Sequence, residues 1–175
     1  MIATNILGKL RSGEEVVDRK DSHLLSCHSE ASAFLPEALA QINSMGKNFL
    51  AEEVDFGRPI GESHCILTGP EDEVIYAQRP KRWGLTRFVL NGTPSPCQHL
   101  VVVLKKAEDC NNTFILITAF IGRQAPAEPW DKRNFSFQAD PTEAEKISRE
   151  FWGSHALIWG TQDFIPGTET LDCPW

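Results

Sequence analysis

No run of 18 apolar residues occurs in this chain, and the segment Met1–Leu10 lacks the long apolar core of a secretory leader. The expectation is a cytoplasmic protein with no membrane segment. The five cysteines, at 27, 65, 97, 110 and 173, are odd in number and include no CxxC pair, which argues against a disulfide framework and against a four-thiolate zinc site. The phosphate loops GxGxxG and GxxxxGK[ST], the GxSxG elbow and the HExxH helix are all missing, which removes most nucleotide-cofactor enzymes and the familiar hydrolases. No cofactor is expected. Acidic residues are missing between Glu73 and Glu108, although the chain as a whole carries a formal net charge of -7. That balance excludes indiscriminate coating of nucleic acid, but it leaves Arg79, Lys81, Arg82, Arg87, Lys105 and Lys106 as a basic neighbourhood on an acidic body.

What is present is the composition of a soluble globular protein, with 41% hydrophobic and 23% charged residues over 175 positions. One domain covering residues 1–175 is expected, with 1–29 as a possible N-terminal arm and 161–175 as a tail. The clearest strands are His99–Lys105 and Thr113–Phe120, two β-branched and aromatic runs joined by a polar break. Shorter strand-like pieces precede them at 64–68, 73–77 and 86–90, and the short breaks between all five suggest an antiparallel meander. Pro36, the stripe Leu35, Leu39 and Ile42, and Gly46 delimit a helix over 35–45. Asp140-Pro141-Thr142-Glu143 opens a second helix, 141–152, with Ala144, Ile147 and Phe151 as its buried stripe. His155–Trp159 reads as a last strand. The fold class is therefore α+β, an antiparallel β-meander of four to six strands flanked by two or three helices.

Histidine, arginine, lysine and threonine remain as the chemistry-bearing residues. His64 stands at a strand start, His99 opens a central strand, Thr118 lies near the end of the last long strand, and Arg123 follows it at the mouth of a Pro-rich loop. Arg82 with Trp83 is suited to hold a phosphate and stack a base, with Arg79, Lys81 and Arg87 beside it; Trp130 sits in the loop at Glu128-Pro129-Trp130. Metal-free RNA cleavage uses such a set: an acid and a base move protons while cations stabilise the pentavalent phosphate. His23, Cys27 and His28 have the residue types of half a metal site, but no second ligand cluster at zinc spacing accompanies them; a solvated or half-buried helix face is the preferred reading, and no metal is assigned. Cys65 beside His64, and Cys97 near His99, have the residue types of a thiol nucleophile with its base, although nothing orients either pair. His155, between Ser154 and an apolar run, reads as packed under a turn.

The helical segment before a meander, His64 at its entry, the basic residues 79–87 and the strand ending Ile117-Thr118-Ala119-Phe120 resemble the ribonuclease superfamily that unites barnase, EndoU, the tRNase colicins and RelE-type toxins. The resemblance covers residues 35–123 and is topological; a second histidine and lysine at EndoU spacing are not found. It implies a metal-independent endoribonuclease or toxin-like protein acting on RNA, with His64, Arg82 and Thr118 catalytic, and Arg79, Lys81, Trp83, Arg87, His99, Arg123 and Trp130 binding substrate. It also implies an immunity or antitoxin protein as partner. The rival expectation is a non-enzymatic α+β module that binds a protein or small ligand through the basic run and the 122–130 loop.

Overall fold

The structure, a computed structural model, describes residues 4–19, 29–110 and 112–175. His23, Cys27 and His28 lie outside the described residues. The chain divides into two compact units, one built from residues 1–62 and 96–124, the other from 63–95 and 125–175.

The first unit is a five-stranded mixed sheet with spatial order β1-β2-β10-β9-β3. Its strands are β1 (Thr4–Lys9), β2 (Glu15–Arg19), β3 (Phe49–Asp55), β9 (His99–Lys106) and β10 (Thr113–Ile121). The two long apolar runs are its centre, as expected: β10 and β9 are antiparallel, with Ile115 opposite Lys105 and Phe120 opposite Val101. Residues 4–19, read as an arm, instead form a β-hairpin that adds β2 parallel to β10. Alternation explains the core. Leu50 and Val54 of β3, Leu100, Val102 and Leu104 of β9, and Phe114, Leu116, Ala119 and Ile121 of β10 point to one face and are buried there with α1 (Ser29–Ser32) and α2 (Leu35–Leu39). Each fully buried side chain of this size contributes on the order of 1.5–3 kcal/mol. The helix expected over 35–45 stops at Leu39, although Leu35, Leu39 and Ile42 are all buried. The backbone tightens into three-residue turns, Gln41 N–H to Ala38 and Ile42 N–H to Leu39, and Met45 then takes a positive φ of 51°. The stripe survives while the helical bonds do not.

The second unit is a four-stranded sheet with order β5-β11-β7-β6. Its members are β5 (Cys65–Leu67), β6 (Val74–Gln78), β7 (Leu85–Val89) and β11 (His155–Ile158), with β11 parallel to β7 and antiparallel to β5. Two short strands, β4 (Gly61–Ser63) and β8 (Ser95–Cys97), pair where the chain leaves the first unit and where it returns. The expected single meander of four to six strands is thus corrected: the described residues form eleven strands in mixed and antiparallel sheets. The loop Asn91–Pro94 and β8 carry the chain out of one sheet before the long strands begin in the other.

Helices α3 (Lys132–Ser136) and α4 (Pro141–Ser154) complete the second unit. Helix α4 starts as its sequence indicates, with the Asp140 side chain accepting from the Glu143 N–H and Pro141 in the first turn. Its buried positions are Ser148 and Trp152 rather than the expected stripe, and Ile147 is 48% exposed. The reason is polar: Ser148 Oγ donates to the Ala127 carbonyl and Trp152 Nε1 to the Pro126 carbonyl, so this face of the helix satisfies an extended Pro-rich segment. Among the described residues no helix is long and apolar enough to cross a membrane.

Candidate functional site

Strands β6 and β7 form an antiparallel hairpin in which Gln78 faces Leu85 and Tyr76 faces Arg87. The residues between them make a compact turn: Arg82 N–H donates to the Arg79 carbonyl, Gln78 Nε2 donates to the Arg82 carbonyl at 2.6 Å, and Lys81 adopts a positive φ of 62°. A non-glycine residue in that region stores strain, so the rest of the turn must hold it there. Pro80, Lys81, Arg82 and Trp83 are all exposed, and Trp83 is 93% exposed. The largest apolar side chain available to the chain is thus displayed between cations and solvent.

Beneath the turn lies a buried polar bracket. Glu128, 6% exposed, receives the Arg79 guanidinium, the Thr86 hydroxyl at 2.8 Å and the Trp130 indole N–H at 2.6 Å. Arg79 Nε also donates to Thr86 Oγ1 at 3.0 Å, so the threonine, itself wholly buried, both accepts and donates. The segment that carries Glu128 is anchored on α4, whose Ser148 and Trp152 donate to the Ala127 and Pro126 carbonyls, and Pro129 on its other side is fully buried. Gly84 is required by this packing: a Cβ there would sit 2.2 Å from Trp130 Cγ. Cys65 lies in the same electrostatic field. Burial pushes its thiol up to about 11, with Arg79 opposing and Glu128 reinforcing the shift. The shift favours the protonated thiol, which speaks against the thiol-nucleophile reading for this residue.

Seven of the ten residues singled out from the sequence stand in the second unit: His64, Arg79, Lys81, Arg82, Trp83, Arg87 and Trp130. His99, Thr118 and Arg123 stand in the first. Within the second unit, Lys81, Arg82 and Trp83 share the turn, while Arg79 and Trp130 meet at Glu128 and are turned to structural work. Arg87 is committed too, donating to Thr68 Oγ1 at 2.8 Å and to the His155 carbonyl at 3.2 Å. The His64 carbonyl accepts from Ile158 N–H, and its buried Nδ1 has no hydrogen-bond partner among the described residues. His155 is stacked on Phe151, with centroids 4.0 Å apart and Nδ1 3.0 Å from Ser154 Oγ. In the first unit, His99 Nε2 is 3.7 Å from Asp55. Cys97 is buried there, and its Sγ contacts the His99 backbone rather than the imidazole. Arg123 grips Glu53 through two nitrogens, and Thr118 lies at the bulge where β10 slips against β9.

Glu128, Thr86 and Gly84 escaped the sequence reading. One signal pointed toward them: a run of cations with no acid of its own requires a carboxylate from elsewhere wherever one of those cations is buried. A shallow pocket of about 210 Å³ also lies in this unit, lined by Pro126, Ala127, Asn134, Phe135, Ala144 and Ile147.

No family model matches the chain, and no curated protein matches it. Among solved structures, it is similar to a crystal structure of a conserved hypothetical protein from Toxoplasma gondii ME49, with a TM-score of 0.51 and 13% identity, over 77% of this chain and 86% of that one. At that identity the likeness is one of fold.

Proposed function

We propose that this chain is an RNA-binding module that holds a single-stranded segment on the β6–β7 turn, with Trp83 stacking on a base and Lys81 and Arg82 meeting the flanking phosphates. One observation carries the reading: an indole 93% exposed on a turn that a buried bracket fixes from below. Unstacked bases offer a π-face whatever their sequence, and base–aromatic stacking contributes about 1–3 kcal/mol per base. Two phosphate contacts on a single strand give a log–log salt slope of about -1.4. The acidic remainder of the chain disfavours contact beyond the tip. Further support for binding rather than cleavage is that Arg79, Arg87 and Arg123 already have internal acceptors, so none is free to stabilise a pentavalent phosphate.

The metal-independent ribonuclease is the second reading, favoured by the buried Nδ1 of His64, which has no hydrogen-bond partner among the described residues. One experiment separates the two. A fluorescein-labelled 12-nucleotide RNA is titrated with the protein in EDTA, and its integrity is read on a gel from the same tubes. The binding module predicts intact RNA, quenching of tryptophan emission, and a loss of affinity of about tenfold or more in Trp83→Ala. Cleavage abolished by His64→Ala favours the nuclease. Affinity unchanged by Trp83→Ala together with Lys81→Ala and Arg82→Ala refutes the proposed tip.

A further inference from the structure

We infer that the outer edge of β3 is a docking rail for an extended, basic segment of a protein partner, and that Arg123 and Gln124 occupy its middle in the partner's place. Among the described residues strand β3 ends its sheet, paired on one side with β9 alone. Asn48 accepts from Lys106 N–H and Phe56 N–H donates to Gln98, so the even-numbered residues of β3 bond toward β9. Antiparallel pairing alternates, and the N–H and C=O groups of Phe49, Ala51, Glu53 and Asp55 therefore point outward. Such a row is a template for another strand.

The chain itself shows what this edge accepts. Gln124 Nε2 donates to the outward Ala51 carbonyl at 2.9 Å, the Gln124 backbone N–H donates to Glu53 Oε1 at 2.9 Å, and the Arg123 guanidinium takes both Glu53 oxygens. An amide, a main-chain N–H and a cation are the groups that a basic strand would bring. The clip is exposed, with the Arg123 side chain 68% accessible, so water is ready to replace it. Beyond it the rail continues at both ends: Phe49 is 58% exposed and Asp55 keeps its side chain 54% exposed.

Charge selects the occupant. Glu52, Glu53 and Asp55 crowd one seven-residue strand, so pairing with β3 of a second copy would set carboxylates against carboxylates, and like charges across a strand pair destabilise it. A segment alternating Lys or Arg with β-formers answers the charge, and Phe49 provides an apolar contact at one end.

The test uses the full chain and a fluorescent eight-residue peptide alternating Lys with Val and Thr, read by anisotropy. The double variant Arg123→Ala/Gln124→Ala is expected to bind it about 3- to 30-fold more tightly than the parent, because the internal competitor is gone. Glu53→Gln in that background weakens binding. The same peptide with a central proline does not bind, and hydrogen exchange slows at Phe49, Ala51 and Glu53. Equal or weaker binding by the double variant overturns the inference, as does protection elsewhere or dimerisation of the double variant without peptide.

Discussion

Replacing Glu128 with alanine leaves three donors without their acceptor at once: the Arg79 guanidinium, the Thr86 hydroxyl and the Trp130 indole N–H. Breaking a buried ion pair from one side costs on the order of 3–5 kcal/mol, because a charge stays behind uncompensated. The Arg79 side chain keeps 20% of its surface accessible, so water recovers part of its solvation and the lower end, about 3 kcal/mol, is expected. The assay is urea unfolding followed by tryptophan emission. All the tryptophans, at 83, 130, 152, 159 and 175, stand in the second unit, so the signal reports the unit that contains the bracket. At a urea slope of about 2 kcal/mol/M the midpoint falls by roughly 1.5 M. Glu128→Gln keeps an acceptor for Thr86 and Trp130 and loses less. Replacing both partners, Arg79→Met with Glu128→Leu, recovers only part of the loss: no buried charge remains, but the Thr86 hydroxyl and the Trp130 indole N–H still lack their acceptor. An exposed pair is the control: Lys132→Ala leaves Glu145 with Arg149 alone at a surface site and shifts the midpoint by less than about 0.5 M. A Glu128→Ala loss below about 1 kcal/mol would refute the bracket as the support of the turn.

Gly84→Ala drives a methyl group into the Trp130 ring, and a cost of about 1–3 kcal/mol in the same unfolding assay is expected, with weaker RNA binding as the turn shifts. Cys65, its thiol raised to about 11, reacts with a disulfide reagent at pH 8 far more slowly than exposed Cys110 and Cys173. Because the folded thiol holds its proton where the unfolded one loses it, stability declines as pH rises from the ordinary thiol value of 9.0 through about 11, and Cys65→Ala flattens that limb. Glu53 behaves in the opposite sense: the Arg123 hydrogen bond holds its carboxyl below the usual value. Its contribution is present above the unfolded carboxylate pKa and lost as pH falls through the folded one; acid titration of Glu53→Gln, followed by circular dichroism, shows a shallower loss.

Local chemistry was legible where neighbours in sequence are neighbours in space. The Asp140 cap, the proline in the first turn of α4, and the two apolar runs that pair across a short loop all satisfy that condition. Partner choice between sheets did not, because a strand of five residues carries no mark of which edge it joins. Pieces 73–77 and 86–90 do pair with each other, but their sheet is completed by β11, some 66 positions after β7. The hairpin 4–19 was opaque for a similar reason: β2 reaches its place only by pairing parallel with β10. Of the site, the display of Lys81, Arg82 and Trp83 could be anticipated. That Arg79 would be consumed by Glu128, 49 residues away, could not, since an ion pair leaves no periodicity behind.

The position of β11 between β5 and β7 sets an order of assembly during synthesis. The strands described for the first unit have all been made by residue 121, whereas the middle of the second sheet is missing until residue 158. At ribosomal speeds of about 5–20 residues per second, β5 and the β6–β7 hairpin wait roughly 3 to 14 s after residue 89 for the strand that joins them. During that interval both flanking edges are open, and Phe88, wholly buried in the finished unit, has no Leu157 to cover it. A nascent chain stalled in this window is the form that chaperones would meet, with an apolar gap one strand wide.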